Sequence, residues 1–269
     1  MFDKLREKAA AHRDEKKPSD QIVSPPVYTA TASSSSAGPF QTRFASLSLH
    51  VNDRIRFLRF PAPVIDECRN AVLGSWKKGI HEERPYGNSR EFRLHGYPWS
   101  AVGEEATDAC RLVATLLGTL HSQGWVLMLN ADVSTNASDK DTLLFRHQIP
   151  SPASCDWCSI SFSRNDRLRF IGDFVEVYQD LSTKLGPQWI KSHDQRTPGV
   201  NEIKFHGFPW AAIGKETMRT RELLLVLLET LEEQGWTVYA SIDQRGEAGQ
   251  AGTDTVSFEH CRMRNKSLD

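Results

Sequence analysis

The segment CDWC, Cys155 to Cys158, has the spacing that sets two thiolates along one edge of a tetrahedral zinc site or forms a redox dithiol. His260 and Cys261, at the far end of the same stretch of chain, are the residues that could complete a metal set. A redox dithiol is usually activated by a helix N-terminus, whereas these cysteines enter a predicted strand. Plain structural thiols are therefore the simpler expectation, with the four residues as weak metal candidates. A second constellation is the phrase LHGYPW, Leu94 to Trp99, which returns as FHGFPW, Phe205 to Trp210. His95 and Trp99, with His206 and Trp210, are candidates for the wall of a ligand pocket beside a helix N-terminus, where free amides favour an anion. Glu105 and Glu216 oppose that reading, and no nucleophile recurs beside the histidines, so no catalytic residue is assigned. The simpler role for the tryptophans is packing at element junctions.

Arginines form the third set. Arg54 and Arg56 alternate with Ile55 and Phe57, and Arg167 and Arg169 repeat the arrangement. Four guanidinium groups on two related strands make a candidate anion-binding strip for phosphate or an acidic peptide, against the alternative of an ordinary solvated sheet face. Asp132, Asp141, Asp243 and Asp254 border a polar loop, but no Asp-x-Asp-x-Asp-Gly pattern marks a cation site. The signatures of P-loop, dinucleotide-binding, serine-hydrolase and zinc-protease sites are missing, and no cofactor is called for.

These residues need elements to hold them. The 269-residue chain is 39% hydrophobic, enough for a packed core. Its 33 Lys plus Arg nearly balance 34 Asp plus Glu, so no global field draws it to nucleic acid or an anionic bilayer. No stretch approaches the roughly 20 apolar residues of a membrane span. The N-terminus alternates charges where a secretory signal needs an apolar region, which points to an intracellular protein, cytoplasmic or nuclear. The 5 cysteines do not resemble a secreted disulfide framework.

The chain reads as one unit written twice, residues 44–148 and 157–261, with a short 262–269 tail. NDRIRF (Asn52 to Phe57) pairs with NDRLRF (Asn165 to Phe170), and Trp76, Trp99 and Trp125 pair with Trp189, Trp210 and Trp236. In each copy an alternating hairpin places Leu47, Leu49, Ile55 and Phe57 inward. Two amphipathic helices follow, the first through Val64, Cys68, Val72 and Trp76, the second through Leu112, Val113, Leu116 and Leu120. Gly124 and Gly235 stand where a left-handed helix cap belongs. Cys110 in one copy aligns with Arg221 in the other, the mark of a partly exposed helix edge in both. The expected fold is α+β: two tandem ββαβαββ modules, helices on one face of a mostly antiparallel sheet, packed as a pseudo-symmetric pair.

Residues 1–43 are a tail and linker. Residues 1–17 read as a short charged helix whose apolar stripe, Phe2, Leu5 and Ala9, is too thin to fold alone, and 18–41 are rich in Ser, Pro, Thr and Ala, a composition that cannot repay the entropy of ordering. Within it, Pro25, Pro26, Val27 and Tyr28 resemble the PPxY ligand of WW domains, in which prolines pre-form a polyproline II segment and the tyrosine fills an adjoining pocket. That resemblance implies a WW-domain partner. Together with the duplication it predicts a non-enzymatic adaptor that binds protein partners. The alternative is an enzyme or small-ligand binder with its site between the modules, near the His-Gly-aromatic-Pro-Trp segments.

Overall fold

The computed structural model describes residues 43–131, 139–243 and 254–261. The tail carrying Pro25, Pro26 and Tyr28, the 262–269 tail and Asp132 lie outside the described residues, as do the side chains of His260 and Cys261. In the first module the hairpin is β1 (Phe44–His50) and β2 (Arg54–Leu58), joined at the Asn-Asp turn, with Leu47 facing Phe57 and Leu49 facing Ile55. Helix α1 (Ala62–Ser75) follows, then β3 (Ile80–Tyr86), β4 (Ser89–Leu94), α2 (Glu104–Ser122), β5 (Trp125–Ala131) and β6 (Asp139–His147). The second module repeats this order with β7 (Cys155–Ser163), β8 (Arg167–Ile171), α3 (Val175–Leu185), β9 (Ile190–Thr197), β10 (Val200–Phe205), α4 (Glu216–Glu233), β11 (Thr237–Asp243) and β12 (Asp254–Cys261).

Each module is thus an α+β unit with one strand more than the expected ββαβαββ order. The added strands are β3, IHEERPY, and β9, IKSHDQRT, which show none of the apolar alternation that reveals a half-buried strand. They lie at the outer edge of sheets ordered β3-β4-β2-β1-β6-β5 and β9-β10-β8-β7-β12-β11. An edge position explains their composition: charged side chains discourage pairing with another chain, and Pro85 is tolerated where no ladder hydrogen bond is needed. All pairings are antiparallel.

One face of each sheet carries its module's two helices. In the first core Leu47, Leu49, Ile55 and Phe57 meet Cys68 and Val72 of α1 and Leu112, Leu116 and Leu120 of α2. The second core repeats this with Ile160, Leu168, Phe170, Val177, Leu181, Leu223, Leu227 and Leu231. Gly124 and Gly235, at φ of 83° and 79°, take the left-handed conformation that ends each long helix.

The two modules join head to tail within one compact unit. The outward side of α2 packs on the outer face of the second sheet, so α2 lies between its own sheet and its neighbour's. Cys110 clusters with Ile171 and Val200, and the Trp157 ring lies so close to Gly118 that a Cβ there would sit 2.9 Å from it. His121 meets the rings of Trp157 and Tyr239 edge-on, and the Tyr239 hydroxyl accepts from the Leu127 amide at 2.9 Å. Cys110 is therefore buried, which corrects the expectation of an exposed helix edge in both copies; its counterpart Arg221 is exposed. An isolated module would have had the exposed edge. The second module covers it.

Candidate functional site

The repeated phrase is a clasp on the hairpin turn. In the first module the Leu94 amide donates to Asp53 O at 2.7 Å and the Trp99 amide to Asn52 O at 3.1 Å. The Trp99 indole NH donates to Arg54 O at 3.1 Å, and that of Trp76 to His95 O at 2.9 Å. The second module repeats three of these four bonds, with Phe205 N to Asp166 O at 2.8 Å, Trp210 N to Asn165 O at 3.1 Å and Trp210 Nε1 to Arg167 O at 2.8 Å. The NDR turn and the HGxPW corner are thus one unit, which is why they recur together. Trp99 is wholly buried and Trp210 half-buried, each anchored by its NH, so both serve as struts. His95 is exposed and meets the His81 ring edge-on.

What the clasp presents is apolar. Between Gly96 and Pro98 the chain holds Tyr97 at φ −133° and ψ 71°, and Phe208 has the same pair of angles. Tyr97 is 63% exposed and Phe208 66%; shortly after each, Val102 is 70% and Ile213 84% exposed. Each corner therefore offers water an aromatic and an aliphatic side chain on a hydrogen-bonded backbone. Beside the second lies a cleft of about 450 Å³, lined among others by Trp189, His206, Phe208, Ile213, Glu216 and Arg219. Of the four residues expected to wall a pocket, only His206 lines this one. Aromatic and aliphatic identity at both positions was visible in sequence, but exposure was not.

The arginine strip is present in both sheets and is not free. Glu91, wholly buried on β4, stands directly opposite Arg56 on one side and Arg84 on the other. It accepts from Arg56 Nε at 2.7 Å and Arg84 Nη2 at 2.8 Å, with Arg54 Nη1 at 3.9 Å. In the second sheet Glu202 accepts from Arg167 at 2.7 Å, Arg169 at 2.6 Å and Arg196 at 3.2 Å. Burial alone would raise both carboxyls; the arginine hydrogen bonds and charges more than offset it, and both lie below the usual range. Each arginine set expected as an anion strip thus already encloses an internal anion, which leaves it less charge for an external one. Glu91 and Glu202 were missed because a lone glutamate in a strand has the look of a surface residue; its recurrence at matched positions was the available signal.

The cysteine pair separates. Side chains alternate along a strand, so positions 155 and 158 point to opposite faces of the sheet and cannot share one metal. Cys158 is buried and free, its thiol pushed up to about 12 chiefly by burial. Cys155 is disulfide-bonded, and the register sets Cys261 directly across from it. Structural thiols do not describe it. Among the described residues no group of three or more His, Cys, Asp or Glu is placed to hold a metal ion. Asp141 accepts from Asn130 Nδ2 at 2.9 Å.

Between the modules lies a cleft of about 300 Å³ bordered by Gly103, Asp108, Arg111, Arg169 and Arg196. Asp108 pairs with Lys77 and Arg111, and Arg169 with Glu202, so these charges are engaged with one another. Among the described residues no helix is long and apolar enough to cross a membrane.

Fold and site together define a tandem α+β protein whose two modules present matched apolar corners. One domain-family model matches the chain twice, over residues 43–146 and 156–259, and the chain belongs to that family as a tandem of two of its domains. Comparison with curated proteins and with solved structures found no match.

Proposed function

We propose that this chain is an intracellular adaptor that binds a protein partner in duplicate through its two corners, with the PPVY segment as a WW-domain ligand. The observation that carries the reading is the paired exposure of Tyr97 with Val102 and of Phe208 with Ile213 on the same backbone conformation. Exposed aromatics held on a stiff backbone lose little entropy on docking and are favoured anchors of interfaces. Two linked anchors gain from effective concentration, which gives the duplication a purpose. A disulfide such as that at Cys155 belongs to oxidising surroundings. The thiol state of Cys155 in chain drawn from cells and alkylated at once tests the compartment: a free thiol supports the intracellular reading, and an oxidised one overturns it.

Peptides selected from a displayed library on the full-length chain provide the probe. The double variant Tyr97→Ser with Val102→Ser, or Phe208→Ser with Ile213→Ser, is expected to leave the melting temperature nearly unchanged, because these side chains face water. Either variant should weaken a bivalent peptide on the order of 100-fold by removing one anchor. Peptides that bind all variants equally would place the interaction elsewhere. The tail is tested separately by titrating the full chain and its Tyr28→Ala variant on recombinant WW domains. Capture should disappear with the tyrosine, and equal capture by both would remove that part of the proposal.

A further inference from the structure

The internal junction is built from two surfaces, the outward side of α2 and the outer face of the second sheet. Because the modules are copies, each surface has a twin at an end of the chain: the outward side of α4, and the outer face of the first sheet. Among the described residues nothing covers either twin. Across the second sheet the row Ala240, Ser159, Ile171 and Val200 is buried beneath α2. The matching row of the first sheet runs Leu129, Leu144, Ser46, Leu58 and Ser89 by strand register. There Leu129 is 54% exposed, and Phe44, standing where the second module has Trp157, is exposed too. On the helix side, Thr107, Cys110, Ala114, Gly118 and His121 of α2 correspond to Met218, Arg221, Leu225, Glu229 and Glu232 of α4. All five of the α4 residues face water.

We propose that copies of this chain associate head to tail, α4 of one copy seating on the outer face of the first sheet of the next as α2 seats on the second sheet within the chain. Three features favour a second copy as the occupant. The contact continues an interface the molecule already makes. The side-chain volumes shift in compensation: where the sheet goes from Trp157 to Phe44 and from Val200 to Ser89, the helix goes from Gly118 to Glu229 and from Cys110 to Arg221. The charges are complementary as well. Glu222, Glu229 and Glu232 line the exposed side of α4 beside Arg221, whereas on the first sheet Arg54, Arg56, Arg84 and Arg93 outnumber the carboxylates they pair with, Asp53 and Glu91, and leave a positive excess. A heterologous contact of this kind does not close on a dimer, so assembly proceeds to larger species. The corners carrying Tyr97 and Phe208 belong to neither surface, and the inference is independent of the adaptor reading.

The test blocks the two ends separately in the full-length chain. Leu225→Arg with Glu229→Arg sets cations on α4 against the arginine-rich sheet; Leu58→Glu with Leu129→Glu sets carboxylates on the sheet against the acidic helix. By sedimentation velocity the unaltered chain should grow beyond dimer with rising concentration and shrink again in high salt. Each blocked variant alone should be monomeric. An equimolar mixture should associate again, since one variant keeps a working sheet and the other a working helix. That complementation also shows that both variants are folded. A monomer at every concentration, a dimer that survives either block, or a mixture that stays monomeric would overturn the proposal.

Discussion

Replacing Glu202 with glutamine is expected to lower the unfolding free energy by about 3–5 kcal/mol, the range found when one partner of a buried ion pair is removed. Glu202 is nearly inaccessible and touches three arginines; Arg169, itself only 7% exposed, lies in the module junction with its Nη1 also reaching Gly103 O. Glutamine keeps the shape but leaves these cations without a counter-charge in a poorly hydrated site. Urea unfolding of the two proteins measures the difference, and a loss below about 1 kcal/mol would mean that water screens the cluster as it does a surface pair. The triple variant Glu202→Leu with Arg167→Leu and Arg169→Leu should regain much of the loss, because apolar substitution of a whole buried cluster is often tolerated and Arg196 keeps Asp194 and water.

The pH dependence follows with a definite sign. The folded-state carboxyls of Glu91 and Glu202 lie below the unfolded value of about 4.3, so each adds stability that is complete above that value and lost as pH falls through its folded one. The Glu202→Gln protein should therefore show a shallower acid limb in its stability profile. An unchanged limb would place the acid sensitivity in other groups.

The second large effect is expected at Trp99. Its truncation to alanine leaves a cavity in the first core and removes the indole NH from Arg54 O, a combination that costs about 3–5 kcal/mol. Trp210→Ala should cost less, because its ring is half-buried and part of its area is already in contact with water. Loss of Trp99 also loosens the corner from which α2 starts, and α2 is the cover of the second sheet. Trp157 fluorescence is thus expected to shift to the red at lower urea in Trp99→Ala than in Trp210→Ala. Identical shifts in the two variants would show that the junction does not depend on the first module's clasp.

Much of the fold was legible in single elements. Leu47, Leu49, Ile55 and Phe57 alternate, and Leu112, Leu116 and Leu120 recur at helical spacing, because a side chain's face follows from its own element's period. The recurrence of NDR with HGxPW foretold that these pieces belong together, and their shared hydrogen bonds supply the reason. Strands β3 and β9 were illegible since an edge strand with little buried surface needs no apolar pattern. The site was legible only as a repeated phrase. Nothing in YPW or FPW says whether the aromatic points inward, and Tyr97 and Trp99, two residues apart, have opposite fates.

Duplication, the inward faces of both modules and the helix ends marked by Gly124 and Gly235 were therefore determined by sequence alone, since they depend on neighbours a few residues away or on comparing one copy with the other. Tertiary structure decided which outward faces stay open. It buried Cys110 and left Arg221 in water, gave the unmatched Trp157 a glycine to lie against, and drew three arginines around each buried glutamate. Such outcomes depend on which distant surface comes to rest on a given face, and local periodicity carries no record of that.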